Sequence, residues 1–185
     1  MKELFEAVRA GDAARVDALV AADPTLAIFA ASMLGDTARL ESLLTANRSL
    51  VSAVSSDGWT PLHLAAFFGN IEAARLLLNK GAAVKTRSTN AMKNLPLHAA
   101  AAGRHTEIVK LLLEFGTPAS AQQHGGWTAL HAAAQHGDVD MAKVLIDNGA
   151  ELSARADNQQ RPLDLAVLKA HQAMVDFLES KGASL

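Results

Sequence analysis

The sequence repeats itself with a period close to 33 residues, and this periodicity restricts the possible folds more than any other feature. The motif TPLH at residues 60–63 returns as LPLH at 95–98, TALH at 128–131 and RPLD at 161–164, with offsets of 35, 33 and 33 residues. A period near 33 built on T-P-L-H-x-A is typical of stacked helix-turn-helix units. Each unit of such a stack contacts only its neighbours, so we expect function on a surface rather than in an enclosed reactive pocket.

Each copy of the motif is followed by the same series of segments. A helix of small residues comes first (LAA at 64–66, AAA at 99–101, AAA at 132–134, LAV at 165–167), and a polar turn and an apolar helix follow. Gly-Ala or a similar pair closes each unit. With these four linked motifs the chain resembles the ankyrin repeat family. The resemblance implies an all-α fold, an ankyrin-repeat α-solenoid of helix-turn-helix pairs with short β-hairpin-like loops, and a concave face that contacts partners.

Helical periodicity extends the array to the N-terminal part, where the motif is missing. Val16, Leu19 and Val20 form the i, i+3, i+4 stripe of an amphipathic helix, and residues 40–44 contain a similar stripe. The linker at 22–25 is too short for a protruding hairpin. We therefore predict a single ankyrin repeat domain over residues 1–185, with helix pairs at approximately 1–24, 25–56, 57–90, 91–123, 124–156 and 157–185.

The fourth and sixth pairs depart from the pattern at the ends of their helices. Leu95 and Arg161 replace the threonine whose hydroxyl accepts a hydrogen bond at a helix N-terminus. Arg104 and Ala170 replace the glycine that turns the chain after the first helix of a pair. In the fourth pair we expect Gly103 to take over this turn one residue early. These departures predict a locally less stable fourth pair and a frayed last pair.

The composition argues against several classes of function. The 17 basic and 19 acidic residues give a formal net charge of −2, so no polybasic field is present to bind nucleic acid or an anionic membrane surface. No apolar run approaches the roughly 18 residues that a membrane span needs, and the N-terminus does not resemble a signal peptide, which favours a cytoplasmic location. The absence of cysteine excludes disulfides, thiolate nucleophiles and cysteine-based zinc sites.

The seven histidines make a metal site the first alternative to weigh. His63, His98 and His131 occupy the same motif position in successive units, about one helix diameter or roughly 10 Å apart. Zinc ligands lie about 2 Å from the metal, so these three cannot share one ion and are expected to bridge the hairpin backbone by hydrogen bonds. His124, His131 and His136 could form a looser cluster. Phosphate-binding loops, G-x-S-x-G and H-E-x-x-H are absent from the sequence, so we expect no catalytic residues, no metal and no cofactor.

The concave face is where the family resemblance places the contact residues. Mapped onto this sequence, the hairpin tips and the exposed ends of the first helices give nine partner-binding candidates: Trp59, Phe67, Phe68, Met92, Asn94, His124, Trp127, Gln135 and His136. Exposed aromatic side chains in a rigid groove are typical anchors of protein interfaces, and two adjacent helical residues such as Phe67 and Phe68 cannot both face the core. The tryptophans could instead pack on the neighbouring hairpins.

These observations favour a non-enzymatic protein-protein interaction module, an adaptor or inhibitor that holds an unidentified protein partner against its concave face. The alternative is a stand-alone stable scaffold without a dedicated partner, and a small metal- or ligand-binding enzyme is a third hypothesis. Two extra residues within 85–94 fall in a loop on the binding edge, either as a partner contact or as a plain polar loop. We expect a monomer, although self-association could also cover an apolar groove.

Overall fold

Twelve α-helices, arranged as six helix-turn-helix pairs, make up the computed structural model, which describes residues 1–184. They are α1 (Lys2–Ala10), α2 (Ala13–Ala22), α3 (Ala27–Leu34), α4 (Thr37–Ala46), α5 (Pro61–Phe68), α6 (Ile71–Asn79), α7 (Pro96–Ala102), α8 (Thr106–Glu114), α9 (Ala129–His136), α10 (Val139–Asp147), α11 (Pro162–Leu168) and α12 (Gln172–Ser180). The odd-numbered helices pack side by side as an inner layer, and the even-numbered helices lie behind them as an outer layer. Over these residues the β-type pairing is limited to an isolated bridge between Gln122 and Thr128, so the predicted all-α solenoid is confirmed. None of the helices described has both the length and the apolar composition needed to cross a bilayer.

The repeated motif sets the bounds of the inner helices. In α5 the N-cap is Thr60, whose Oγ1 accepts the backbone N–H of His63 at 3.4 Å. Pro61 follows as the first helical residue, where the missing N–H of proline breaks no helical hydrogen bond. The helix ends at Gly69, whose φ of 84° lies in the left-handed region that favours glycine. Cap, proline and glycine thus start and stop the helix at positions that can be read from the sequence.

The core lies between the two layers and between neighbouring pairs. Inner helices contribute alanines that are fully buried: Ala65, Ala66, Ala100, Ala101, Ala133 and Ala134. Outer helices contribute the fully buried Leu77, Leu112 and Leu145. Because alanine carries a single methyl group, the inner helices approach closely, and the leucines fill the space behind them at the density of a protein interior.

Hairpin loops join the pairs on one edge of the array, and a backbone hydrogen bond closes each of them. The amide donor and carbonyl acceptor lie four residues apart in three hairpins: Ser55 to Trp59 (2.9 Å), Gln123 to Trp127 (2.8 Å) and Ala156 to Gln160 (3.0 Å). In the fourth pair the Ser88 amide reaches the Asn94 carbonyl at 2.8 Å, six residues on. The two extra residues of this unit therefore lie in its hairpin loop. The first linker forms a 3-10 turn, Pro24–Leu26, and no hairpin, as its length predicted.

The turn after α7 differs from the sequence prediction. Gly103 keeps a right-handed φ of −76°, and Arg104 adopts the left-handed conformation with a φ of 64°. Close packing requires glycine at 103 for another reason, because a Cβ there would lie 2.4 Å from the Phe67 carbonyl oxygen. The prediction that Gly103 takes over the turn is therefore wrong. In the sixth pair Ala170 adopts the left-handed conformation in the same way, with a φ of 55°.

Leu95 and Arg161 lack a hydroxyl, yet their backbone amides are bonded. The Leu95 N–H donates to Nδ1 of His98 at 3.1 Å. The Arg161 N–H donates to Oδ2 of Asp164 at 2.8 Å, and the guanidinium pairs with the same carboxylate. The third helical residue thus supplies the acceptor that a capping box places there. Both helices lack the hydrogen bond of the threonine hydroxyl, but they keep the second bond of the capping box, from the N-cap amide to the third helical residue.

Candidate functional site

An open pocket of about 340 Å³ lies where the hairpins meet the inner helices of the third, fourth and fifth pairs. We call it the Trp59–Trp127 pocket after the two indoles that line it. Seven of the nine predicted contact residues line it: Trp59, Phe67, Met92, Asn94, Trp127, Gln135 and His136. Phe68 and His124 lie outside it. The family resemblance thus located one continuous feature, although sequence alone did not show that these residues enclose a pocket.

Trp59 forms one wall of the pocket and belongs to an aromatic cluster of four side chains (Phe5, Trp59, Phe67 and Phe68). Its ring packs edge-to-face on Phe67, with ring centroids 5.4 Å apart and an interplanar angle of 78°. Phe5 lies 5.2 Å from Phe68 and 6.2 Å from Trp59. Edge-to-face pairs place the positive ring edge against the negative face of the neighbour, which stabilises the arrangement beyond its buried area. The cluster holds Trp59 in a fixed, half-buried position.

The sequence analysis missed Phe5, which lies in α1 and reaches the third pair. Its position offers a signal, because Phe5 precedes Gly11 by the same interval that separates His63 from Gly69. His63 uses this position to contact the hairpin of the next pair. The second pair is not preceded by such a hairpin, so Phe5 contacts the third pair instead.

Trp127 forms the opposite wall. Its indole lies 5.3 Å from the His131 ring, at an interplanar angle of 49°, and it is half-buried like Trp59. Both tryptophans therefore pack against the inner helix that follows their hairpin, and both line the pocket. Small side chains of α7 and α9 form the floor between them: Ala99, Ala102, Ala129 and Ala132. Larger residues at these four positions would fill the pocket.

The hairpin of the fourth pair contributes Met92 and Asn94, which differ in exposure. Met92 is 48% exposed, as predicted for a hairpin tip. Asn94 is only 6% exposed, so its placement at an exposed tip is corrected. Its carbonyl accepts hydrogen bonds from His63 and from the Ser88 amide, and these bonds draw the residue inward. Its side-chain Oδ1 is buried and has no hydrogen-bond donor among residues 1–184.

The remaining candidates lie around the rim or beyond it. Gln135 is exposed at the end of α9, and its carbonyl accepts a hydrogen bond from Nε2 of His171. His136 is partly buried, and burial followed by the positive charge of Arg104 lowers its pKa. His124 is exposed in the fifth hairpin, where its backbone N–H donates to the Met92 carbonyl at 2.9 Å. It therefore ties two hairpin tips together through its main chain.

His63, His98 and His131 form a ladder that joins each pair to the next hairpin. Their Nε2 atoms donate to the carbonyl oxygens of Asn94 (3.0 Å), Ala121 (2.9 Å) and Gln160 (3.1 Å), respectively. Nδ1 accepts the backbone N–H at the N-cap, so each ring is neutral. Burial lowers the pKa of His63 and His98 to about 4. The predicted bridging role is confirmed, and the part of the chain that the structure describes holds no group of three His, Asp or Glu side chains able to hold a metal.

Stacked helix pairs with hairpins on one edge and a groove lined by their inner helices define a repeat protein of the solenoid class. The family model for ankyrin repeats (three copies) matches residues 4–88 and 97–185. The chain belongs to the ankyrin repeat family. Ankyrin repeats are generally protein-protein interaction modules and are generally not enzymes by themselves.

Several curated proteins share segments with this chain. The probable E3 ubiquitin-protein ligase XBOS32 of Oryza sativa subsp. japonica is 44% identical over 66 residues, which is 36% of this chain and 13% of the rice protein. Ankyrin-3 of Rattus norvegicus is 46% identical over 44 residues, or 24% of this chain and 2% of ankyrin-3. The SMC5-SMC6 complex localization factor protein 1 of Homo sapiens is 37% identical over 73 residues, or 40% of this chain and 7% of that protein. The matched segments span only a small part of these relatives, so the similarity concerns the repeats.

Proposed function

We propose that this chain is a non-enzymatic adaptor or inhibitor that binds a protein partner on its concave face, with the Trp59–Trp127 pocket as the main contact. One observation carries the proposal: two tryptophans from different hairpins line one open pocket whose floor is alanine. Rigid aromatic walls around an apolar floor can bury a large side chain of a partner, and such anchors supply most of the binding energy of protein interfaces. We propose that all nine candidate residues belong to this binding surface or to its edge.

The fixed positions of the aromatic side chains support this role. Trp59 is held by Phe5 and Phe67, and Trp127 is held against His131. Side chains that are ordered before binding lose little conformational entropy when a partner arrives. Binding by itself brings about no chemical step. The chain would therefore regulate its partner by covering part of the partner's surface or by bridging the partner to another protein.

Affinity capture from a native lysate, followed by mass spectrometry, tests the proposal. The groove variant carries Trp59→Ala, Phe67→Ala, Phe68→Ala and Trp127→Ala. The matched control is Phe115→Ala, because Phe115 is 42% exposed after the outer helix α8 and lies outside the pocket. Circular dichroism must show that both variants remain helical.

We expect the native chain and the Phe115 variant to recover the same protein and the groove variant to lose it. Recovery of that protein by the folded groove variant would contradict a concave binding site. If no protein is enriched by the native chain over the groove variant, the stand-alone scaffold becomes the better description.

A further inference from the structure

The hairpins and inner helices that the fourth and fifth pairs contribute to the pocket carry charge of one sign. Residues 82–105 and 117–136, which include these elements of the fourth and fifth pairs, contain no aspartate or glutamate. They do contain basic residues: Lys85, Arg87, Lys93 and Arg104. The acidic residues of the same two pairs lie on, beside or after the outer helices: Glu107, Glu114, Asp138, Asp140, Asp147 and Glu151. A chain with a formal net charge of −2 thus presents a positive surface on its pocket side.

The four bases are available to a partner. All four are exposed, and none of them forms a salt bridge within residues 1–184. Arg87 donates from Nη1 to the carbonyls of Lys93 and Gln122, which fixes the base of the hairpin. Acidic side chains return at the flanking hairpins, at Asp57 and Asp157, and these mark the two ends of the positive surface.

Two of the bases occupy backbone positions that favour glycine. Lys93 has a φ of 46° and Arg104 a φ of 64°, both in the left-handed region. The equivalent positions of the third and fifth pairs hold glycines: Gly58, Gly69, Gly126 and Gly137. A side chain is strained in this conformation, and strain of this kind is concentrated at functional sites. The fourth pair therefore carries positive charge at two positions where glycine would give a more stable backbone.

Both strained bases are close in the chain to residues that line the pocket, Lys93 in the hairpin and Arg104 after the inner helix α7. Lys93 lies between Met92 and Asn94, which both line the pocket from the hairpin. Arg104 is the second residue after Ala102, the last residue of α7, which lines the pocket, and its positive charge contributes to the lowered pKa of His136. In the sixth pair Gln159 and Ala170 have the same conformation without charge, and no residue of that pair lines the pocket. They provide internal controls for strain alone.

Asn94 leaves a polar group buried beside the pocket and unpaired within residues 1–184. The residue is 94% buried, it lines the pocket, and its Oδ1 has no hydrogen-bond donor among the described residues. A buried acceptor without a donor is costly, so the hairpin of the fourth pair holds Asn94 in place at some cost in stability.

We propose that the Trp59–Trp127 pocket holds an apolar side chain from an acidic protein segment, whose carboxylates lie on Lys93 and Arg104. This inference rests on the proposed function and adds the chemistry of the partner. The apolar side chain supplies affinity, whereas the flanking carboxylates supply specificity and fast association with a positive surface.

Panning a random dodecapeptide library against the folded chain tests the class of ligand. We expect the enriched peptides to carry Asp or Glu on both sides of Leu, Ile, Met or an aromatic residue. Enrichment of neutral or basic peptides, or no enrichment, overturns the proposal. Phosphatidylserine vesicles and single-stranded oligonucleotides are then offered as competitors. If either binds more tightly than the enriched peptide, the acidic protein segment is the wrong ligand.

The double variant Lys93→Gly with Arg104→Gly separates charge from folding. Relief of the left-handed strain should raise its melting temperature, while its affinity for the enriched peptide, measured by fluorescence anisotropy, should fall roughly tenfold at physiological ionic strength. Ala170→Gly is the matched control, and it should raise the melting temperature and leave the affinity unchanged. Lys93→Arg with Arg104→Lys should keep the affinity, since charge is conserved. Full affinity in the double glycine variant contradicts the proposed role of the two bases.

Trp127→Ala distinguishes this inference from the function on which it rests. If Trp127→Ala loses peptide binding and the double glycine variant binds fully, the groove is the binding site but the two bases play no part in binding. Unchanged binding by both variants would contradict the groove as the binding site, and with it the proposed function.

Discussion

His63 donates its Nε2 hydrogen to the backbone carbonyl of Asn94, 3.0 Å away in the hairpin of the next pair. His98 and His131 repeat this bond to Ala121 and Gln160, so one ring joins each pair to its neighbour. A protonated ring would have to donate from Nδ1 as well, but Nδ1 faces the backbone N–H of the N-cap. The ladder therefore depends on neutral histidines.

Stability is expected to fall as the pH drops from about 6.5 to about 4. Burial lowers the pKa of His63 and His98 from 6.5 to about 4, so between these values the unfolded chain binds more protons than the folded chain. The free energy of unfolding then decreases as pH decreases, by roughly 2 kcal/mol per histidine between pH 7 and pH 5. Urea denaturation at the two pH values measures this loss.

The variant His98→Gln provides the control. It should be less stable at pH 7, because a glutamine that reaches back to accept the Leu95 N–H leaves the Ala121 carbonyl without its donor. Its stability should also depend less on pH than that of the native chain, since one of the buried histidines of the ladder no longer titrates. An equal pH dependence in both proteins would mean that His98 is not responsible.

Gly103→Ala is expected to destabilise the protein by roughly 1–3 kcal/mol, although alanine normally stabilises a helical position. The added Cβ would lie 2.4 Å from the carbonyl oxygen of Phe67, and backbone cannot move away as a flexible side chain can. The same carbonyl accepts the hydrogen bond from Nε2 of His105, so the clash also disturbs this bond. Thermal unfolding followed by circular dichroism measures the change. A higher melting temperature would contradict the close approach.

Features within one repeat could be predicted from the sequence, whereas features that depend on the neighbouring repeat could not. The hairpin of the fourth pair was located from its two extra residues, and α5 was located from Thr60, Pro61 and Gly69. Gly103 was misread because its neighbour Phe67 belongs to another pair. The lower stability predicted for the fourth pair remains a prediction, and the left-handed φ of Arg104 gives a physical reason for it.

The candidate site follows the same division. Aromatic residues at hairpin tips and helix ends were found by their positions in the repeat, and most of them line one pocket. Asn94 appeared to be an exposed tip because its bond to His63 comes from the preceding pair. Phe5 was overlooked because its contact with Phe68 skips the second pair altogether. The partner-binding role of these residues remains a proposal.

Hydrogen bonds from Asn70 form a second kind of contact between neighbouring pairs. They predict different effects for two substitutions, Asn70→Asp and Asp138→Asn. Asn70 donates from Nδ2 to the carbonyls of Met33 and Ser32, at 2.6 and 3.0 Å. Asp138 occupies the equivalent position of the fifth pair and instead accepts the Met141 N–H of its own helix at 2.9 Å. Asn70→Asp should therefore cost roughly 2 kcal/mol, because it removes the donor and sets a carboxylate against two carbonyls.

The reciprocal exchange Asp138→Asn is the control for this comparison. Asparagine caps a helix about as well as aspartate, so the free energy of unfolding should change by less than about 1 kcal/mol. Urea denaturation of both variants gives the two values. Equal losses would show that Asn70 acts as a helix cap and not as a tie between pairs.

Tryptophan fluorescence should report the occupancy of the pocket directly. The chain contains two tryptophans, Trp59 and Trp127, and both line the pocket in a half-buried state. A bound apolar side chain would displace water from the exposed part of each indole, so the emission should shift to shorter wavelength and quenching by acrylamide should decrease. The single variants Trp59→Phe and Trp127→Phe each leave one indole and keep an aromatic wall, so either should show the shift when the enriched peptide saturates the protein. A peptide that binds without changing the emission of either single variant must bind elsewhere, because no ligand can fill a pocket between two indoles and leave both of them equally hydrated.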